Sequence, residues 1–209
     1  MSLSSTSAVT IQRAATKIRA ATKIQARVRG QQLRNKQLLE AAESGDIKRT
    51  KHLIKHGAKI NATNKNGETA LYLATKYNHV KAVQLLLDNR ADANARNNNG
   101  STALQRAVDN KHVEIVQLLL SKGADVNAKD NSGRIILNNA VFLGNVKIVK
   151  ALINAGADIE AKITSNNLPI IHFSIWIGQK DIANLLSEAG ANIAYRGREK
   201  KINSTAWGS

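Results

Sequence analysis

The 209-residue chain has no cysteine, and aromatic residues make up only 3% of it. The first absence excludes disulfides, thiolate metal sites and a cysteine nucleophile, and argues against a disulfide-stapled secreted domain. The second leaves little material for stacking nucleic-acid bases. No run approaches the roughly 20 apolar residues that span a bilayer, and the N-terminus lacks the apolar core of a secretory signal, so a soluble, cytoplasmic protein is expected. Residues 1–36 contain no aspartate or glutamate at all. They carry Arg13, Lys17, Arg19, Lys23, Arg27, Arg29, Arg34 and Lys36, which is half of the formal net charge of +16. A second, smaller basic cluster is Arg196, Arg198, Lys200 and Lys201 against Glu199. Basic segments of this kind attract nucleic acid, anionic membrane and acidic proteins alike.

What the sequence does have is an ordinary globular balance, 43% hydrophobic and 22% charged residues, arranged with a fixed period. Asn66-Gly67-Glu68-Thr69-Ala70-Leu71 recurs 33 residues later as Asn99-Gly100-Ser101-Thr102-Ala103-Leu104, and again as Ser132-Gly133-Arg134-Ile135-Ile136-Leu137. Each is followed by a related second half: Val80 to Asn94, Val113 to Asn127, and diverged copies at Val146 to Glu160 and Ile182 to Asn192. Apolar residues at three-and-four spacing, such as Leu71, Ala74, Val80, Val83, Leu86 and Leu87, predict two short amphipathic helices per unit. Thr69 and Thr102 stand where the first helix needs an N-cap. Gly123, Gly156 and Gly190 suit left-handed helix ends, from which Arg90 departs. Asn-Gly or Ser-Gly opens each hairpin.

This pattern resembles the ankyrin repeat, G-x-T-P-L-H-x-A followed by G-A-D-V-N-A, most closely at Gly123-Ala124-Asp125-Val126-Asn127-Ala128. The first half is looser: T-A-L-Y, T-A-L-Q and I-I-L-N replace T-P-L-H, and the last unit has Pro169-Ile170-Ile171-His172. That unit follows after 34 residues, placing one inserted residue near Ile163 to Asn167. The resemblance implies an all-α ankyrin-repeat solenoid of helix pairs joined by β-hairpin-like loops. About five units with both caps fill residues 36–194, between a basic arm at 1–35 and a basic tail at 195–209. Leu38, Ala41, Ala42, Leu53 and Ile54 fall in register as the N-terminal cap, whose outer face carries Lys48, Arg49, Lys51 and Lys55.

The resemblance also implies a non-catalytic protein-binding module, expected as a monomer, with a concave surface built from hairpin tips and first-helix ends. The candidate contact residues are Lys65, Glu68, Lys76, Tyr77, Asn98, Asp109, Asn110, Arg134, Phe142, Leu143, Trp176 and Ile177. Phe142, Leu143, Trp176 and Ile177 are apolar where the framework needs no burial. Two readings stand: an exposed interface patch, or Phe142 and Trp176 packed on each other. His79 and His112 occupy one repeat position, where the family keeps a structural histidine. No H-E-x-x-H or other metal-ligand spacing occurs, and no cofactor is expected.

Residues 8–36 contain no proline and one glycine, and are rich in helix formers, so a helix running into the cap is expected. Within them Ile24, Gln25, Arg29, Gly30 and Arg34 match the IQ motif, I-Q-x-x-x-R-G-x-x-x-R, at all five defining positions. That resemblance implies binding of calmodulin or a calmodulin-like protein. Ile24 and Val28 would enter an apolar groove while the arginines meet acidic groups. Nucleic acid or anionic membrane is the alternative partner, and an acid-free segment of this kind also resembles a transit peptide. If the source is bacterial, a calmodulin-binding motif points to the cytoplasm of a host cell.

Overall fold

The computed structural model describes residues 3–163 and 168–194. The tail and most of the last hairpin loop lie outside the described residues. Among the described residues ten helices follow one another: α1 (Leu3–Glu43), α2 (Ile47–Lys55), α3 (Ala70–Lys76), α4 (Val80–Asp88), α5 (Ala103–Asp109), α6 (Val113–Ser121), α7 (Ile136–Phe142), α8 (Val146–Asn154), α9 (Ile170–Trp176) and α10 (Lys180–Glu188). The odd-numbered helices stack on one another in sequence order and so do the even-numbered ones, giving two layers. The all-α solenoid expected from the sequence is what forms.

The core between the layers repeats as the sequence does. Leu38, Leu71, Leu104, Leu137 and Ile171 are fully buried in the first layer, and Leu86, Leu119, Leu152 and Leu186 in the second. Ala74, Ala107 and Ala140 let neighbouring helices approach. In the last unit Ser174 takes that place, its hydroxyl donating to the Ile171 carbonyl at 2.6 Å. The hydroxyl is satisfied within its own helix, so it adds no buried orphan to the core.

Local chemistry explains the boundaries. The Thr69 and Thr102 hydroxyls accept the N–H groups of Tyr72 and Gln105, and Gln105 returns its side-chain oxygen to the Thr102 N–H, a reciprocal cap. Ile135 and Pro169 hold the same position in α7 and α9 without a side-chain cap. The chain between paired helices turns through a left-handed residue: Gly45, Asn78, Lys111, Gly144 and Gly178. Between units another follows the second helix: Gly57, Arg90, Gly123, Gly156 and Gly190. Arg90 thus adopts φ 66°, the conformation its glycine counterparts reach without strain.

The hairpins are nearly free of strand. Single bridges join Thr63 to Thr69 and Lys129 to Ile135, and two residue pairs join Lys162–Ile163 (β1) to Leu168–Pro169 (β2). Lys162 pairs with Pro169, one residue further than in the earlier bridges, so the inserted residue sits inside the last hairpin. Asparagines lock successive units. The side-chain oxygens of Asn61, Asn94 and Asn127 accept the N–H groups of Asp92, Asp125 and Asp158 at 2.7–3.0 Å. At the tips, Asn98 and Asn131 donate to the Lys65 and Asn98 carbonyls.

Candidate functional site

The final residue of each first helix forms one column: Glu43, Lys76, Asp109, Phe142 and Trp176. The residues after the last four, Tyr77, Asn110, Leu143 and Ile177, form a second. Contacts tie these ends to the hairpins. Lys76 lies 3.9 Å from Glu68, and a recess next to α5 is lined by Gln105, Asp109, Asp130, Arg134, Ile135 and Asn139. Hairpin and helix end therefore share a face.

The two halves of this face differ in kind. Toward the N-terminal end it is polar and internally paired. Glu68 is buried, its carboxylate accepting from Asn64 at 2.7 Å. Arg134 donates to Asp130 at 2.6 Å, and that interaction with the hairpin N–H groups holds the Asp130 carboxyl below the usual range despite its burial. Arg106 donates to the Tyr72 hydroxyl at 2.9 Å and lies over its ring. Asp109 accepts a short hydrogen bond from Asn139; partial burial pushes its pKa up, outweighing the attraction of Arg106 and Arg134. Asn110 reaches back to the Lys76 carbonyl at 3.0 Å. Of the candidate contact residues, Glu68, Asn98, Asn110 and Arg134 thus already serve the framework, and Lys65 remains exposed. An aspartate or asparagine at positions 64, 97 and 130, bonding N–H groups two and four residues on, was the available signal for this role.

Toward the C-terminal end the same columns turn apolar. Phe142 is 65% exposed and Trp176 71%. Trp176 contacts Phe173, ring centroids 6.0 Å apart, and not Phe142 among the described ring pairs. Leu143 and Ile177 are half-buried beside them. Tyr77, at the other end, is exposed with its hydroxyl donating to Glu43 at 3.0 Å.

The histidines belong to the frame. His79 lies with Nε2 2.9 Å from the Glu43 carbonyl, and its ring fills the space a side chain at Gly45 would need. His112 occupies the equivalent place, but Asn110 has taken the corresponding Lys76 carbonyl and the His112 Nε2 is left without a partner. His172 Nε2 is 2.9 Å from the Ile193 carbonyl, just as Gln105 and Asn138 at that repeat position reach the Ala128 and Lys162 carbonyls. No group of three or more His, Asp or Glu able to hold a metal occurs among the described residues.

The arm is continuous with the cap: α1 runs unbroken through residues 35 and 36. Ile24 and Val28 are 61% and 49% exposed, and Gln25 and Arg29 are exposed beside them. One turn later the helix meets the stack. Gln31 donates to the Gly57 carbonyl at 2.8 Å and Asn35 accepts the Lys59 N–H at 2.9 Å. Arg34 is half-buried and donates to Gln31 at 3.3 Å. The five motif positions are therefore split, with Ile24, Gln25 and Arg29 free on the shaft and Gly30 and Arg34 at the junction.

Known families agree with the geometry. A model described as ankyrin repeats (3 copies) matches residues 38–130, and a second, ankyrin repeats (many copies), matches residues 140–186. The chain belongs to the ankyrin-repeat family. Both matched spans start after the arm. The eye-specific diacylglycerol kinase of Drosophila melanogaster is 48% identical over 42 residues, covering 20% of this chain and 3% of that protein. The chain thus spans a small fraction of that relative, and the similarity is one of ankyrin sequence. Ankyrin repeats generally mediate protein–protein interaction, because the stacked frame leaves its columns of helix ends and tips free to vary. No described helix is long and apolar enough to cross a membrane.

Proposed function

We propose that this ankyrin chain is a non-catalytic adaptor with two protein-binding ends. The C-terminal half of the concave face, centred on Phe142 and Trp176, holds one partner, and the IQ-like arm recruits calmodulin or a similar acidic protein. The observation that carries the first half is the exposure of two large aromatic side chains in a chain with only seven, at a column filled elsewhere by Glu43, Lys76 and Asp109. Such residues anchor interfaces, and a fold gains nothing from leaving them in water. The arm supports the second half by combining eight basic residues, no acid, and the apolar pair Ile24 and Val28 on one helix face. An apolar stripe favours a grooved protein over a polyanion, which rewards charge alone.

Titration of the full chain with calmodulin, with calcium and with chelator, tests the arm; an Ile24→Ala/Gln25→Ala variant is expected to lose binding. Unchanged affinity in that variant refutes the assignment. For the concave face, peptides selected by display against the chain are expected to carry aromatic or aliphatic anchors and to lose binding to a Phe142→Ser/Trp176→Ser variant.

A further inference from the structure

The face of α1 that seals the cap does not stop at the cap. Gln31 and Asn35, which bond the Gly57 carbonyl and the Lys59 N–H, stand three and seven residues after Val28 and seven and eleven after Ile24. Those are the spacings of a single helix face. The stripe that docks on the turn after α2 therefore continues outward as Val28 and then Ile24, both exposed. At a rise of about 1.5 Å per residue, Val28 lies roughly 4–5 Å and Ile24 roughly 10 Å along the axis from the contact at Gln31. Arm and cap thus enclose a re-entrant corner.

The cap side of that corner is basic. Lys55 ends α2, His56 caps it, and Lys59 follows the Gly57 turn; all three side chains are exposed. No acidic side chain occurs between Ile47 and Asn66. The shaft adds Lys23, Arg27 and Arg29, all exposed. A groove-bearing protein that covers Val28 cannot avoid the surface one turn further on.

We infer that the docking surface for the arm's partner is composite, the Ile24–Val28 stripe together with the Lys55–Lys59 corner of the cap repeat. The partner it fits is an acidic protein with an apolar groove, whose acidic rim meets Lys55 and Lys59 while the groove takes Ile24 and Val28. The footprint ends at Gln31, because Gln31, Arg34 and Asn35 are held in the junction. This rests on the proposed role of the arm, and it extends that role to residues outside the IQ-like motif.

The test uses the full-length chain and calmodulin as the acidic, grooved probe. Four proteins are titrated at two salt concentrations: the unaltered chain, Ile24→Asp, Lys55→Glu/Lys59→Glu and Lys147→Glu. Lys147 is an exposed lysine on α8, away from both proposed surfaces, and serves as the charge control. Thermal melts confirm that each is folded; both corner lysines are exposed and the Asn35 bond uses the Lys59 backbone, so the reversal leaves the fold intact, and Lys55→Ala/Lys59→Ala replaces it if the melt moves. Expected are loss of binding in Ile24→Asp, weakening of about tenfold in the corner variant that shrinks with added salt, and no change in Lys147→Glu. Loss in Ile24→Asp with full affinity in the corner variant overturns the composite surface and leaves the arm's role standing. Equal weakening in the corner and Lys147 variants, with Ile24→Asp unaffected, assigns the attraction to bulk charge and overturns both. Failure of the unaltered chain to bind likewise overturns both.

Discussion

Asn35 and Lys59 are related as Asn61 is to Asp92, Asn94 to Asp125 and Asn127 to Asp158. In each pair a side-chain amide oxygen accepts the N–H of the second residue after a left-handed turn, at 2.7–3.0 Å. In those three pairs the amide comes from the preceding unit's loop; before the cap the helix α1 supplies it. Gln31 completes the substitution, donating to the Gly57 carbonyl as Asn94 and Asn127 donate to those of Gly123 and Gly156. The arm thus acts as the N-terminal cap of the hydrogen-bond ladder as well as of the core. Asn35→Ala and Gln31→Ala are each expected to lower stability by about 1 kcal/mol. Faster exchange of the Lys59 amide should accompany the first, and an unchanged rate there would contradict the role.

Arg90 and Lys111 hold left-handed conformations that glycine holds at the equivalent places in other units. Both side chains are exposed, so little packing is lost on their removal. Arg90→Gly and Lys111→Gly are expected to raise stability by about 0.5–1 kcal/mol each, after allowing for the added freedom of the unfolded chain, seen as a higher urea midpoint. Gly100→Ala should do the opposite, because its φ is 73° and a methyl group there meets Asn131 and Arg96.

Burial raises the Asp109 pKa and loop hydrogen bonds lower that of Asp130. The signs oppose each other. For Asp109 the folded state binds its proton more tightly than the unfolded state, so its contribution to stability falls as pH rises through the range above 3.8. For Asp130 stability is full above 3.8 and is lost as pH falls through the lowered folded value. Asp109→Asn keeps the acceptor for Asn139 and is expected to raise the melting temperature more at pH 7 than at pH 4. Asp130→Asn should lower it at pH 7, with the difference shrinking toward pH 3.

Phe142 and Trp176 are largely exposed, and Leu137 in the same layer is fully buried. Phe142→Ser/Trp176→Ser is expected to leave stability within about 0.5 kcal/mol per site, whereas Leu137→Ala costs about 2–5 kcal/mol. Urea unfolding of the three proteins checks this. A large loss in the double variant would favour a packing role for the two aromatics.

Gln105 sits buried where the ankyrin pattern has a histidine, bonded to the Thr102 N–H and the Ala128 carbonyl. Gln105→Leu should cost about 1–3 kcal/mol, the price of orphaned buried partners. Circular dichroism melts are sufficient to see it.

Period and cap chemistry made the fold legible: Leu71, Leu104 and Leu137 are buried, Thr69 and Thr102 cap, and the inserted residue falls inside the last hairpin. The candidate surface was less legible because position in a repeat does not reveal pairing. Glu68 and Arg134 look alike as exposed charges on hairpin tips, yet each is satisfied by residue 64 or 130 of its own loop. Nor did the sequence mark Gln31, Arg34 and Asn35 as junction residues, since they fall outside the 33-residue frame and two of them replace a loop with a helix. Apolar character at Phe142 and Trp176 could be seen, but only coordinates separated exposure from mutual burial.

A single helix through the cap has a mechanical meaning. From Thr10 to Gly30 about 30 Å of shaft stands beyond the last contact with the repeats, and the costly step in forming a helix in water is its first turn. The folded cap supplies its nucleus, so the shaft's order is borrowed from the stack. A protein seated there is carried on a strut and not a tether. The distance and bearing of Ile24 and Val28 relative to Phe142 and Trp176 are set by helix geometry, so the length of that strut would decide how far apart partners at the two proposed sites are held.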